Sequence, residues 1–185
     1  MKLSPLAILM PALLLASCSS YKKSGQAGGL DARSKLEADA WSASDRFRDT
    51  DPSIARFFDK AAGYVVFPEV TKGGAGLGAA YGEGVAYQGG RVIGYTKLEQ
   101  GTIGAQLGGQ TYREIIFFER PTDLDEFKAG RMELSAQASA VAASKGAAAH
   151  ADYANGVAIF TDHERGLMAE ASIGGQKFSF TPRAD

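Results

Sequence analysis

This chain of 185 residues holds a single cysteine, Cys18. No disulfide can form within it, so the fold must stand on packing alone. Histidine is nearly as scarce, with only His150 and His163. Zinc wants three or four convergent ligands, so the pair reads as surface turn residues and no metal is expected. There is no G-x-S-x-G and no Gly-Lys dipeptide, which removes the nucleophile elbow and the P-loop. Carboxylates are plentiful, but no spacing selects a pair for acid–base work. Nothing local marks an enzyme, and no cofactor is implied. Charge of one sign is also missing: 20 Lys and Arg stand against 21 Asp and Glu, a net −1. A nucleic-acid binder would show a clear basic excess, so nucleic acid is excluded as a partner. No apolar run reaches the roughly 20 residues that cross a bilayer as a helix.

What is present begins at Cys18. An apolar stretch, Leu3 to Ala16, follows the lone basic residue Lys2 and ends in Leu15-Ala16-Ser17-Cys18. Its length suits a secretory signal core closing on small residues. The four residues resemble the lipobox of bacterial lipoproteins, whose cysteine is diacylated and becomes the new N-terminus. Small residues let the peptidase approach, and only a thiol takes the thioether-linked lipid. A plain cleaved signal peptide and a buried core helix are the alternatives. Residues 1–17 are therefore expected to be a signal peptide, 18–30 a lipidated tether and 31–185 a single domain. By resemblance to Gram-negative lipoproteins, Ser19 after the cysteine directs the protein to the outer membrane.

Past the small, polar tether, Asp31 is expected to cap a helix carrying Leu36, Ala40, Ala43 and Phe47 on one stripe. Asp51-Pro52 breaks it. Ser53 is expected to open a second short helix with Ile54, Phe57, Phe58 and Ala61 at helical spacing. Strand grammar follows. Tyr64 to Phe67 is β-branched and aromatic, and Pro68 ends it or places it on an edge. In residues 76–87, Ala80, Gly82, Gly84 and Ala86 share a face almost without side chains. Such a face lets another layer approach the backbone closely. Gly89-Gly90 is a hairpin turn, with strands expected over 91–98, 101–108 and 111–119, the last central. Thr122 with Asp125 resembles a capping box for a helix to Lys128. Residues 133–151 read as helix by alanine content or as strand by alternation. Strands near 156–161, 166–173 and 176–181 close the chain, the last two around Gly174-Gly175. The fold class is α+β: N-terminal helices packed on a mainly antiparallel, Gly-rich sheet able to curl into a barrel or sandwich.

From about Ala61 the chain resembles the SYLF domain family. The resemblance rests on Ala62-Gly63-Tyr64-Val65-Val66-Phe67-Pro68, on Lys72-Gly73-Gly74-Ala75-Gly76-Leu77-Gly78, on Leu134-Ser135-Ala136 and on Gly166-Leu167-Met168-Ala169. It implies membrane-lipid binding, not catalysis. Eukaryotic relatives recognise phosphoinositides through basic residues and an amphipathic N-terminal helix, and some bind actin. A bacterial envelope ordinarily holds neither actin nor phosphoinositide, so actin binding is not carried over, and the expected lipid is an anionic phospholipid or a phosphoinositide-like headgroup. Gly74-Ala75-Gly76-Leu77-Gly78-Ala79 also satisfies a relaxed dinucleotide motif. That motif needs a helix after it to hold the pyrophosphate, and Tyr81 onward reads as strand.

Candidate lipid-contacting residues fall in two sets. Arg46, Arg48, Arg56, Phe57, Phe58 and Lys60 gather around the second helix. They read either as a membrane-surface helix, aromatics in the acyl boundary and bases on phosphates, or as a helix packed on the sheet with solvated charges. Lys72, Arg91, Lys97 and Arg113 lie on strands, with Arg91 and Lys97 on one face if the strand is regular; scattered surface charge is the alternative. The expected function is a non-catalytic outer-membrane lipoprotein binding membrane lipid through anionic phospholipid or phosphoinositide-like headgroups, or an envelope scaffolding or protein-interaction lipoprotein without lipid affinity of its own.

Overall fold

The structure is a computed structural model describing residues 24–134, 140–165 and 175–184. The expected signal peptide, Cys18, the start of the tether and the strand expected at 166–173 lie outside those residues. Helix α1 spans Ser24–Thr50, so residues 24–30 of the expected tether are helical and Asp31 sits inside the helix rather than capping it. Ala, Leu, Glu, Lys and Arg dominate its middle, all good helix formers. The expected stripe faces inward: Ala40, Ala43 and Phe47 are buried and Leu36 is half-buried.

Asp51 does more than break this helix. Its carboxylate accepts from Ser53 N (3.1 Å) and Ser53 Oγ (2.6 Å), and also from Gly146 N (3.0 Å) and Ala148 N (2.6 Å) far along the chain. Asp51, not Ser53, caps the 3-10 turn Pro52–Ile54 that leads into α2, Ala55–Lys60. Burial disfavours the Asp51 carboxylate, but these hydrogen bonds outweigh it and lower its pKa.

Two long strands make the frame. β1 spans Gly63–Gln88 and β2 Arg91–Phe118, antiparallel from Gly63 opposite Phe118 to Gln88 opposite Arg91. Gly89 and Gly90 turn between them at φ 57° and 75°, a left-handed pair that suits glycine. The five separate strands expected over 64–119 are thus two, with register shifts between Phe67 and Val70, Ala75 and Gly76, and Ala86 and Tyr87. Pro68 falls in the first irregularity. Its strand pairs only with β2 among the described residues, so the missing N–H breaks no ladder. Strand continues through Gly74–Ala79, and no helix follows there to hold a pyrophosphate.

The hairpin folds back on itself. A Cβ built on Gly84 would lie 2.7 Å from Phe67 Cδ1 and 2.8 Å from Val66 O; one on Gly82 would lie 2.9 Å from Val70 Cγ2. The nearly bare face of β1 is packed against the first half of the same strand. Helix α3, Pro121–Lys128, covers one end; Arg120 and Asp123 form its capping box, not Thr122 and Asp125. Between 133 and 151 the described residues show β3, Val141–Ala142, and a 3-10 turn at Ala148–His150, neither the long helix nor the long strand. β4, Val157–Arg165, lies along the far half of β2, and β5, Gln176–Pro182, along its near half. The order is β1-β2-β4-β3, with β5 also on β2 and only β3–β4 parallel. The sheet curls but does not close into a barrel.

Both faces of the far half are buried. Val65, Phe67, Ile116 and Phe118 point into the fold of the hairpin with Phe127 and Phe178. Tyr64, Val66, Ile115 and Phe117 point the other way, under α1 and α2. His150 sits in an exposed turn as expected. His163 does not: it is half-buried on β4, its ring 5.7 Å from that of Tyr112.

Candidate functional site

Helix α1 holds two large apolar side chains outside the protein. Leu30 is 63 % exposed and Trp41 58 %. About three turns separate them, so they share nearly one bearing on the helix, away from Ala40, Ala43 and Phe47. Trp41 borders a shallow groove of about 620 Å³ with Asp45, Arg46, Asp49 and Arg113. Beside it, Arg46 Nε and Arg113 Nη1 lie 2.5 Å and 3.4 Å from the same Asp162 oxygen. Two guanidinium groups face three carboxylates there, so the groove is not strongly basic.

The second helix divides its residues between core and surface. Phe57 is core: its ring packs on Phe117, Tyr153 and Phe160 at 5.5, 5.3 and 5.0 Å. It cannot reach an acyl boundary. Arg56 also turns inward, stacking on Phe57 and donating to the carbonyls of Ala148 and Ala151. It clamps the turn that Asp51 holds from the other side. Phe58 is half-buried, edge-on to Tyr64 at 5.1 Å, with the Arg48 guanidinium 3.7 Å over its ring. Arg48 also pairs with Asp45 at 3.1 Å. Tyr64 in turn stacks on Tyr87 at 4.9 Å. Burial pushes the Tyr64 phenol up, and Arg48 partly offsets it.

This aromatic ladder marks the end of the sheet where the two halves of β1 meet, with Gly63 against the carbonyl of Tyr87. Lys60 precedes that contact and Arg91 follows the hairpin turn; both are exposed, and neither has a side-chain partner among the described residues. Three candidates, Arg48, Lys60 and Arg91, thus come to one end of the molecule. Phe58 lies with them under Arg48, but Lys72 and Lys97 do not join them. Lys72 is buried on β1, where desolvation lowers its pKa. Lys97 is exposed and lies 3.8 Å from Glu83. The irregularity near Ala86 and Tyr87 interrupts the alternation that would put Arg91 and Lys97 on one face.

Comparison with known proteins places this architecture. Residues 99–185 match the family described as Ysc84, Las17-binding protein actin regulator. Beta cell expansion factor A of Aeromonas veronii is 33 % identical over 151 residues, covering 80 % of this chain and 57 % of that protein. The second half of the chain thus matches the SYLF domain family. This family is known for binding lipid. The chain spans little more than half the length of its Aeromonas relative. The family match takes in β4, β5 and most of β2, whereas the Gly63–Gly78 segment quoted above precedes it.

Two features of the chain were not marked by sequence pattern. The first is the exposed pair Leu30 and Trp41. The signal was present: the chain's one tryptophan falls off the stripe that runs through Leu36, Ala40, Ala43 and Phe47. The second is Glu114, a carboxyl fully buried within the most apolar strand segment. Its clue was its parity with Tyr112, Ile116 and Phe118, which all face the interior.

Proposed function

We propose that the protein is an envelope lipoprotein, anchored through Cys18, whose SYLF domain touches the membrane with the outer face of α1 and the adjoining sheet end. The observation that carries this reading is the exposed Leu30–Trp41 face on the helix that follows the tether. A tryptophan suits the headgroup level, apolar ring in and N–H out. Lys60 and Arg91 add two unpaired positive charges, each contributing about 1 kcal/mol near an anionic surface. The residue after Cys18 favours the outer membrane, and anionic phospholipid is the lipid.

Trp41 supplies its own reporter, being the only tryptophan. In the full chain carrying Cys18→Ser, its emission should shift to the blue on adding anionic vesicles, and less with zwitterionic ones. Added salt should weaken the shift. Lys60→Glu with Arg91→Glu should lower vesicle binding, and Trp41→Ala should lower flotation with the same vesicles. Unchanged emission across all vesicles, with the domain folded, overturns the lipid reading. One observation then favours a protein partner: Trp41 borders a groove carrying charges of both signs, the mixed lining of a protein interface. Actin is not proposed as that partner.

A further inference from the structure

The interior of the folded hairpin is not wholly apolar. Glu114 is fully buried on β2, and its Oε2 accepts from Gln176 Nε2 of β5 at 3.0 Å. The pair joins β2 to the last strand of the chain. The other oxygen of each group, Glu114 Oε1 and Gln176 Oε1, is buried with no hydrogen-bond partner among the described residues. Two bare acceptors on adjoining buried groups are costly. A single proton serves both. A carboxylic acid carries one O–H donor and an ionised carboxylate none. With the proton on Oε1, acid and amide can pair face to face, O–H to the amide oxygen and N–H to the carboxyl oxygen. Burial favours that form: desolvation pushes the Glu114 carboxyl up to about 7, and the Gln176 hydrogen bond offsets only part of it.

β5 has few other holds on the interior. Of its residues Gln176–Pro182, only Gln176 and Phe178 are buried. Its outer edge meets only Glu133 and Leu134 among the described residues. We propose that the Glu114–Gln176 pair is a proton-operated latch on β5. It is closed while Glu114 is a neutral acid. It releases as the carboxylate forms, the Gln176 end of the strand lifting to let water reach the charge. The proton leaves to solvent, and no other covalent bond changes. The titratable groups on the same interior are Tyr112 on β2, His163 on β4 and Lys72 on β1. β5 adds only Gln176 and Phe178, α3 only Leu124 and Phe127, and the near halves of β1 and β2 only neutral residues. Imidazole ordinarily titrates near neutrality, so His163 is the rival trigger.

Amide hydrogen exchange on the full chain tests the latch, followed strand by strand and corrected for the intrinsic pH dependence of exchange. Once the strand lifts, the carboxyl returns to its ordinary 4.5. Opening therefore gains about tenfold per pH unit from there to 7 and levels off above. Protection over residues 176–181, and over their partners Tyr95–Gln100 on β2, should fall by about tenfold or more between pH 5 and pH 7.5. The Tyr64–Phe67 amides of β1 should fall much less. Glu114→Gln should keep β5 protected at both pH values, since a pair of amides mimics the neutral acid. His163→Gln should leave the wild-type response in place. Should Glu114→Gln not fold, carbon-13 labelling of the Glu side chains in the wild type decides: one carboxyl must titrate at the pH where the loss of protection levels off. The latch is overturned by no loss of protection, by an equal loss in every strand, or by a loss that persists in Glu114→Gln. A loss that vanishes in His163→Gln, or the absence of such a carboxyl, overturns it too.

Discussion

The two halves of β1 are made of opposite materials. From Tyr64 to Val70 the strand carries large side chains on both faces, with Tyr64, Val65, Val66, Phe67 and Val70 all buried. From Ala80 to Ala86 it carries only Ala and Gly on the face turned inward. The first half fills space, and the second half gives it up. Phe67 occupies the place where a side chain on Gly84 would stand. One strand thus supplies both the filling and the hollow, and neither half could pack without the other.

The largest effect should come from emptying the full half. Phe67→Ala removes a ring with no exposed surface, and such truncations cost about 3–5 kcal/mol. Denaturant melts measure it. A loss under 1 kcal/mol would mean that the bare half collapses into the gap. Filling the hollow half should cost less. Gly84→Val forces a side chain against Phe67 and the Val66 carbonyl, for about 1–3 kcal/mol by overpacking. Gly101→Val sharpens the contrast, because nothing lies within 4 Å of a Cβ there; its change should stay within about 0.5 kcal/mol.

Glu114 sits opposite Phe67 in the ladder, so pH probes the same interior. Its pKa rises from 4.5 to about 7 on folding. The stability it contributes is whole below pH 4.5 and is lost as pH rises through 7. Asp51 has the opposite sign: its pKa is lowered, so its contribution is present above 3.8 and is lost as pH falls below that. Melts of the wild type and Glu114→Gln between pH 5 and 8 should differ in slope, the variant being flatter. Parallel slopes would mean that Glu114 is solvated. The smallest stability effect belongs to the seam where the halves meet. Lys60→Glu with Arg91→Glu should change the melt by about 0.5 kcal/mol or less, since both are solvated surface residues.

The sequence carried the α+β class, the hairpin at Gly89-Gly90 and the packed small face of residues 80–86, because each rests on a local pattern. Strand alternation alone puts Val85 and Gly84 on opposite faces. It could not show that the face would be met by Phe67 of the same strand, a long-range event with no local trace. Helix boundaries misread for a different reason. Asp31 and Ser53 are good cap residues, but Asp51 won its turn through bonds to Gly146 and Ala148. The candidate site suffered most. Arg56 and Phe57 have the composition of a membrane face, and only the fold turns them inward, while Trp41 off the stripe was the more telling residue.

β2 is paired along both edges, yet its partners are made at very different times. β1 precedes it by a two-residue turn, whereas β4 and β5 follow it by tens of residues. While the chain is being made, the hairpin can close early, but the outer edge of β2 stays bare until the last strands arrive. An uncovered edge invites pairing with other chains, and distant strand closure is slow. The late residues therefore set the tempo for the whole domain. A chain cut short before Gln176 would hold a finished hairpin and an open flank, and its fate would be association rather than solitary folding.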